Sequence, residues 1–155
     1  MVLDAACGTG YGSKILHDAG SIVTGVDIHQ PAIEFAKEHY PGPYYLRRDL
    51  SEVEGEYDTI VSFETLEHVD ARQVLKNFRR KCKSLICSVP NEKFYPFSAE
   101  RFARDEYPHL RHYLPDELDE LLSSSGFEVK SRHCQKTKTS DVEDGTEGMF
   151  LVYVC

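Results

Sequence analysis

The chain has 155 residues, 41% hydrophobic and 28% charged, the composition of one ordinary globular domain, which excludes a chain disordered throughout. No apolar run approaches the length of a membrane span, and no charged-then-apolar start marks a secretory leader. Lys and Arg number 18 against 26 Asp and Glu, a net charge of −8, which disfavours non-specific binding to nucleic acid or to an anionic membrane.

Short β-branched runs alternate with amphipathic stretches. Residues 1–5 (MVLDA) read as an apolar strand. Residues 11–19 read as a helix with Ile15 and Leu16 at helical spacing, stopped by Gly20. Residues 22–26 (IVTGV) form a buried strand, and Pro31 opens a helix carrying Ile33, Phe35 and Ala36. Residues 44–46 and 57–62 are the third and fourth strands. Residues 70–82 form a helix with Val74, Leu75 and Phe78 on one face, and residues 84–89 a fifth strand ended by Pro90. Residues 115–125 form a helix with Leu118, Leu121 and Leu122 inward and Gly126 as its stop. Residues 127–133 and 149–155 are two closing strands, paired antiparallel because no helix lies between them. The polar linker 135–148 reads as a mobile loop. Strands alternating with helices imply an α/β fold with a mostly parallel sheet covered on both faces, and residues 1–155 form a single domain. The five cysteines are odd in number and contain no C-x-x-C pair; they read as reduced thiols of a cytoplasmic protein, without a disulfide frame or a zinc site.

The first strand runs into Asp4-Ala5-Ala6-Cys7-Gly8-Thr9-Gly10-Tyr11-Gly12. A glycine-rich turn between the first strand and the first helix lets backbone approach a ligand closely, at the end of the sheet where ligands of open α/β folds bind. Asp27, at the end of the second strand, can accept both hydroxyls of a ribose. Together these features indicate an adenosine-containing cofactor. A dinucleotide fingerprint requires G-x-G-x-x-G, but the sixth position counted from Gly8 is Ser13, and the third glycine comes early, at Gly12. Asp4 adds an acid that a pyrophosphate has no use for and that an ammonium or a sulfonium does.

At these residues the sequence resembles the class I S-adenosylmethionine-dependent methyltransferases. VLDAACGTGYG is similar to their first motif, TGVDI to their second, and RRDL around Asp49 to the acidic turn that reads the adenine amino group. YDTIVSFETLEHV, SVPNE and HYLPDEL…GFEV resemble the branch that includes the ubiquinone-biosynthesis O-methyltransferases. The resemblance implies a Rossmann-like doubly wound sheet of seven strands in the order 3-2-1-4-5-7-6, with the last strand antiparallel. It implies S-adenosyl-L-methionine as cofactor and S-adenosyl-L-homocysteine as product. The cofactor-binding residues it carries over are Asp4, Ala6, Cys7, Gly8, Thr9, Gly10, Asp27, Ile28, Asp49, Leu50, Phe63 and Glu64. Family members usually carry a covering segment before the first strand. Here Met1 almost begins that strand, so cover is expected from a partner subunit or a homo-oligomer, from a naturally minimal site, or from sequence beyond a truncation.

Methyl transfer needs alignment above all, and a side chain only to deprotonate a hydroxyl or ammonium acceptor. Glu64, Glu67 and His68 form E-x-x-E-H; on the first turn of a helix Glu64 would share a face with both others. With His109 they make a candidate divalent-metal set, which resembles that of the small-RNA 3′-terminal 2′-O-methyltransferases. An alternative is that Glu67 and His68 only anchor the turn. His109 and His112, just before the last helix, are the candidate general bases. The stretch 91–113 contains six aromatics (Phe94, Tyr95, Phe97, Phe102, Tyr107, Tyr113) and three arginines (Arg101, Arg104, Arg111), and reads as a substrate lid. The basic run Lys76, Arg79, Arg80, Lys81 and Lys83 spreads around a helix and reads as a solvated face. The leading expectation is methyl transfer to a small-molecule or glycan acceptor, on oxygen. The alternatives are RNA-end 2′-O-methylation with a metal, opposed by the acidic charge, and a non-catalytic cofactor-binding subunit.

Overall fold

The structure is a computed structural model that describes residues 1–102 and 107–155. Arg104 of the expected lid therefore lies outside the described residues. The first half alternates strand and helix: β1 (Val2–Ala5), α1 (Tyr11–Asp18), β2 (Val23–Asp27), α2 (Gln30–His39), β3 (Tyr44–Arg47), β4 (Tyr57–Phe63), α3 (Ala71–Arg79) and β5 (Cys82–Pro90). The second half holds α4 (Ala99–Phe102), α5 (Pro115–Ser124), β6 (Ser131–Gln135), β7 (Val142–Asp144) and β8 (Phe150–Val154). The strands form one sheet in the order β3-β2-β1-β4-β5-β8-β6-β7. Strands β1 to β5 pair in parallel. Strand β8 slots antiparallel between β5 and β6, and β7 pairs antiparallel with β6. This is the expected Rossmann-like sheet with one strand more.

The additional strand is β7, inside the linker read as a mobile loop. It carries no apolar alternation and all three of its residues are exposed. Cross-strand charge holds it: His133 Nδ1 lies 2.9 Å from Asp144 Oδ1, and Lys136 Nζ 2.8 Å from Glu143 Oε2. The helix expected over 70–82 ends at Arg79, because Cys82 is taken into β5 opposite Tyr57. Asp70 caps that helix through Gln73 N–H at 3.1 Å. The strand expected from residue 127 begins only at Ser131, in register with Val154; Phe127 is spent instead on the core. Residues 64–69 are turn, not the first turn of a helix, which alters the site.

Adjacent residues of a strand face opposite sides of the sheet, and two cores follow. Val26 joins the large one with Leu3, Ile60, Leu85 and Tyr153, covered by Val74, Leu75 and Phe78 of α3 and by Leu118 and Leu122 of α5. Its neighbour Gly25 faces the small one, where Ile33 and Ala36 of α2 meet Tyr45. No helix among the described residues is long and apolar enough to cross a membrane.

Candidate functional site

Strands β1 and β4 are neighbours at the point where the strand order reverses, and the chain after each is bent abnormally. Ala6 follows β1 at φ 64° and Glu64 follows β4 at φ 48°. Left-handed backbone at a non-glycine residue costs of order 1–3 kcal/mol and persists only where surrounding contacts impose it. Glu64 N–H donates to Ser88 Oγ and to Ser88 carbonyl oxygen, both at 3.1 Å, and Ser88 Oγ donates to Glu64 Oε1 at 2.7 Å. The serine thus binds both ends of the bent residue.

The glycine-rich loop is fixed from below by carboxylates. Asp27 Oδ2 accepts from Gly8 N–H at 2.9 Å and its Oδ1 from His29 N–H at 2.8 Å. Asp4, in β1, is buried and accepts from Ser13 Oγ at 2.6 Å, clamping the strand to α1; burial raises its pKa. Gly10 has φ 86°, and a Cβ there would lie 2.6 Å from Ala36 Cβ and 2.8 Å from Tyr45 Oη. Gly8 also has φ positive, at 52°, but a Cβ there would meet nothing within 4 Å. The loop is thus packed tight at Gly10 and open at Gly8. Burial, reinforced by Asp4 and Asp27, pushes the Cys7 thiol up to about 12, so it stays an unreactive thiol.

Two clefts open at this end of the sheet. The first, about 580 Å³, is lined by Ala6, Asp27, Ile28, Asp49, Leu50 and Glu64 among others. The second, about 700 Å³, is lined by Phe63, Glu67, Ser88, Tyr95, Phe102, His109 and Phe150 among others. Glu64 and His68 border both. Six of the sequence-predicted cofactor residues therefore share the first cleft. Cys7, Gly8, Thr9 and Gly10 form the loop at its edge, Asp4 lies beneath that loop, and Phe63 lines the second cleft. Asp49 also accepts from Ser51 N–H at 2.8 Å and Ser51 Oγ at 2.6 Å, capping the 3-10 turn Leu50–Glu52; these bonds hold its pKa below the usual carboxylate range.

Of the predicted metal set, three residues converge. Glu67, His68 and His109 each offer a ligand atom, all within 4.8 Å of one another. Glu64 is not in that group, because the turn replaces the expected helix and Ser88 holds its carboxylate. Glu67 is fully buried, and neither of its carboxylate oxygens has a hydrogen-bond partner among the described residues. Burial first, and the charge of Glu64 second, push its pKa up. A buried, unbonded carboxylate facing two imidazoles fits a cation.

The two histidines before α5 are not equivalent. His112 is buried, and both its ring nitrogens are engaged: Nδ1 at 2.6 Å from the Tyr95 carbonyl oxygen, Nε2 at 2.8 Å from His109 Nδ1. Of the two candidate bases, His109 lines the second cleft, whereas His112 is engaged by Tyr95 and His109. A carbonyl only accepts, so His112 Nδ1 carries the proton. Burial lowers the His112 pKa, and in its neutral form Nε2 then accepts from His109 Nδ1–H. Sequence reasoning missed Ser88 as the residue that holds Glu64, although SVPNE contains it. It also missed Gln135, Lys138, Val142 and Phe150 in the wall of the second cleft; the first three belong to the linker, which offered no periodic signal.

Residues 3–85 match the family model described as "Methyltransferase domain". The chain is 32% identical over 136 residues to a probable S-adenosylmethionine-dependent methyltransferase of Mycolicibacterium smegmatis, covering 83% of this chain and 52% of that protein. It is 38% identical over 148 residues to the ubiquinone biosynthesis O-methyltransferase of Coxiella burnetii, covering 83% of this chain and 63% of that protein. Among solved structures it superposes on magnesium protoporphyrin IX methyltransferase of Synechocystis PCC 6803 with bound SAM, with a TM-score of 0.73 at 21% identity, covering 99% of this chain and 69% of that one. At that identity the likeness is one of fold. The chain spans about half the length of the first relatives it matches.

Proposed function

Since this chain belongs to the methyltransferase domain family, within the class I S-adenosylmethionine-dependent methyltransferases, we propose that it transfers a methyl group from S-adenosylmethionine to an oxygen of a small-molecule or glycan acceptor. One observation carries this reading: a cleft beneath the glycine-rich loop and a larger chamber meet at a common wall, Glu64 and His68. Two reactants bound there would adjoin end to end, as an in-line displacement requires. Bound S-adenosylmethionine supplies the methyl group, activated on a sulfonium.

The protein binds, aligns and excludes water. Asp27 takes the ribose hydroxyls, Asp49 the adenine amine, and Ile28 and Leu50 flank the ring. The open backbone at Gly8 lets the methionine portion approach, with the charge of Asp4 below it. In the chamber, His109 takes the hydroxyl proton, and the hydrogen-bonded chain from Tyr95 through His112 orients its ring. Alternatively Glu67, His68 and His109 hold a divalent cation, which when bound would lower the pKa of a coordinated hydroxyl. The orphaned Glu67 carboxylate supports the second version, and the two separate by experiment. Titration calorimetry is expected to give heat with S-adenosylmethionine and S-adenosylhomocysteine and none with NAD; the reverse would overturn the reading. Chelation abolishes turnover if a cation acts and leaves it intact if His109 acts alone.

A further inference from the structure

Several basic side chains of the second half of the chain are already paired. Arg111 Nη2 lies 2.9 Å from Glu117 Oε2, Lys136 Nζ 2.8 Å from Glu143 Oε2, and Arg132 Nε 3.0 Å from Asp119 Oδ1. Arg101 and Lys138 differ. Both line the 700 Å³ chamber, one on α4 and one between β6 and β7. Neither lies within ion-pair distance of a described carboxylate, although the Lys138 charge is near enough to Glu64 to lower its pKa. Arg101 is also set in place: its guanidinium carbon lies 4.7 Å from the Tyr95 ring centroid and 5.4 Å from that of Phe102. A guanidinium stacked on aromatic faces keeps its N–H edge free for a planar oxyanion and has less freedom to lose on binding one.

The acids of the chamber are accounted for. Glu64 is held by Ser88 at 2.7 Å, and Glu67 is fully buried at the back beside His68 and His109. The rest of the lining is Phe63, Phe102, Val142, Phe150 and Val152, with Tyr95 and Gln135 as its other polar side chains. The chamber therefore offers two cations beside an apolar patch, with His109 in the same wall.

We propose that Arg101 and Lys138 form an oxyanion clamp, so that the acceptor is a hydroxylated small molecule with an apolar body and a carboxylate or phosphate substituent. This rests on the methyltransferase reading above and narrows it: a neutral glycan does not satisfy the clamp. The anion anchors on the two cations, the apolar body covers the patch, and the hydroxyl reaches toward His109 and the shared wall.

The test uses the whole chain saturated with S-adenosylhomocysteine, in chelator so that no cation competes for the anion. Benzoate, phenyl phosphate and phenol are titrated by protein-observed NMR. Benzoate or phenyl phosphate is expected to bind at least about tenfold more tightly than phenol, the scale of one charge-assisted contact. Whichever of the two is preferred identifies the oxyanion. Arg101→Gln and Lys138→Gln should each remove most of that preference and leave affinity for phenol and S-adenosylhomocysteine unchanged. Equal binding of phenol and both anions, or anion affinity retained in both variants, would overturn the clamp. If S-adenosylhomocysteine itself fails to bind, the functional reading falls, and the same titrations on the unloaded protein still decide the clamp.

Discussion

The cleft under the glycine-rich loop and the chamber beside it share a wall but are assembled differently. Apart from Tyr107, the walls of the cleft come from residues 6–74, mostly at the carboxyl ends of parallel strands or in the turns that follow, with Gln73 and Val74 from α3. The chamber draws on residues 63–152, joining turns after β4 and β5, the segment before α5 and the β6–β7 hairpin. The cleft is held by bonds within one strand–helix–strand unit, such as Asp27 to Gly8 and His29. The chamber depends also on longer-range ones, such as Leu110 N–H to the Glu67 carbonyl oxygen at 2.7 Å. A site built locally can be written into a few contiguous motifs; one built across the sheet cannot.

Substitutions can break this comparison. The largest effect is expected in the chamber: His109→Ala lowers turnover by roughly 10²–10⁴-fold, the usual worth of a positioned acid–base group. Affinity for S-adenosylhomocysteine should stay unchanged, as measured by calorimetry. Full activity with and without chelator would remove His109 from both of its proposed roles. In the cleft, Asp27→Ala should weaken cofactor binding by roughly 2–4 kcal/mol, on the scale of hydrogen bonds to a charged group. Turnover at saturating cofactor should fall far less, a pattern opposite to that of His109.

Gly10→Ala tests the tight part of the loop. A left-handed alanine and its contact with Ala36 and Tyr45 together cost about 2–4 kcal/mol, visible as a lowered Tm. An unaltered Tm would mean that the loop relaxes freely. Glu67→Gln sharpens the picture of the chamber. Burial raises the Glu67 pKa, so between the ordinary carboxylate value and this raised one the folded state binds more protons than the unfolded state. In chelator, stability should therefore fall as pH rises through that window, and the Gln variant should flatten the slope. A wild-type profile already flat there would show the carboxylate solvated. The smallest effect belongs to Asp49→Ala, which loses the cap of the 3-10 turn at about 1 kcal/mol. It should weaken S-adenosylhomocysteine binding less than Asp27→Ala does.

Legibility followed the same division. Asp27 and Gly8 were readable because a ligand-facing turn after a strand needs those residue types at that spacing, and their contacts lie within about one βαβ unit. Glu67 and His68 were readable as a motif, but the position of Glu64 was not. Helical spacing put its side chain with theirs, whereas the φ of 48° and the bonds to Ser88 turn it away. Sequence named both His109 and His112. They lie three residues apart with the same chemistry, and the burial of His112 and the Tyr95 carbonyl beside it distinguish them.

By itself the sequence determined the parallel half of the sheet, its loop and its reversal point, because alternating β-branched runs, helix stops and a glycine-rich turn act over neighbouring residues. It also determined which residue types could do chemistry. Tertiary structure decided which of them meet. Strand β7 exists because His133 and Lys136 find Asp144 and Glu143 across a register that β8 sets. Lys138 reaches the chamber because that hairpin forms. Glu67 faces two imidazoles because a turn, not a helix, follows β4. Each of these depends on side chains distant in sequence being brought together by the sheet, and no local propensity encodes such a distance.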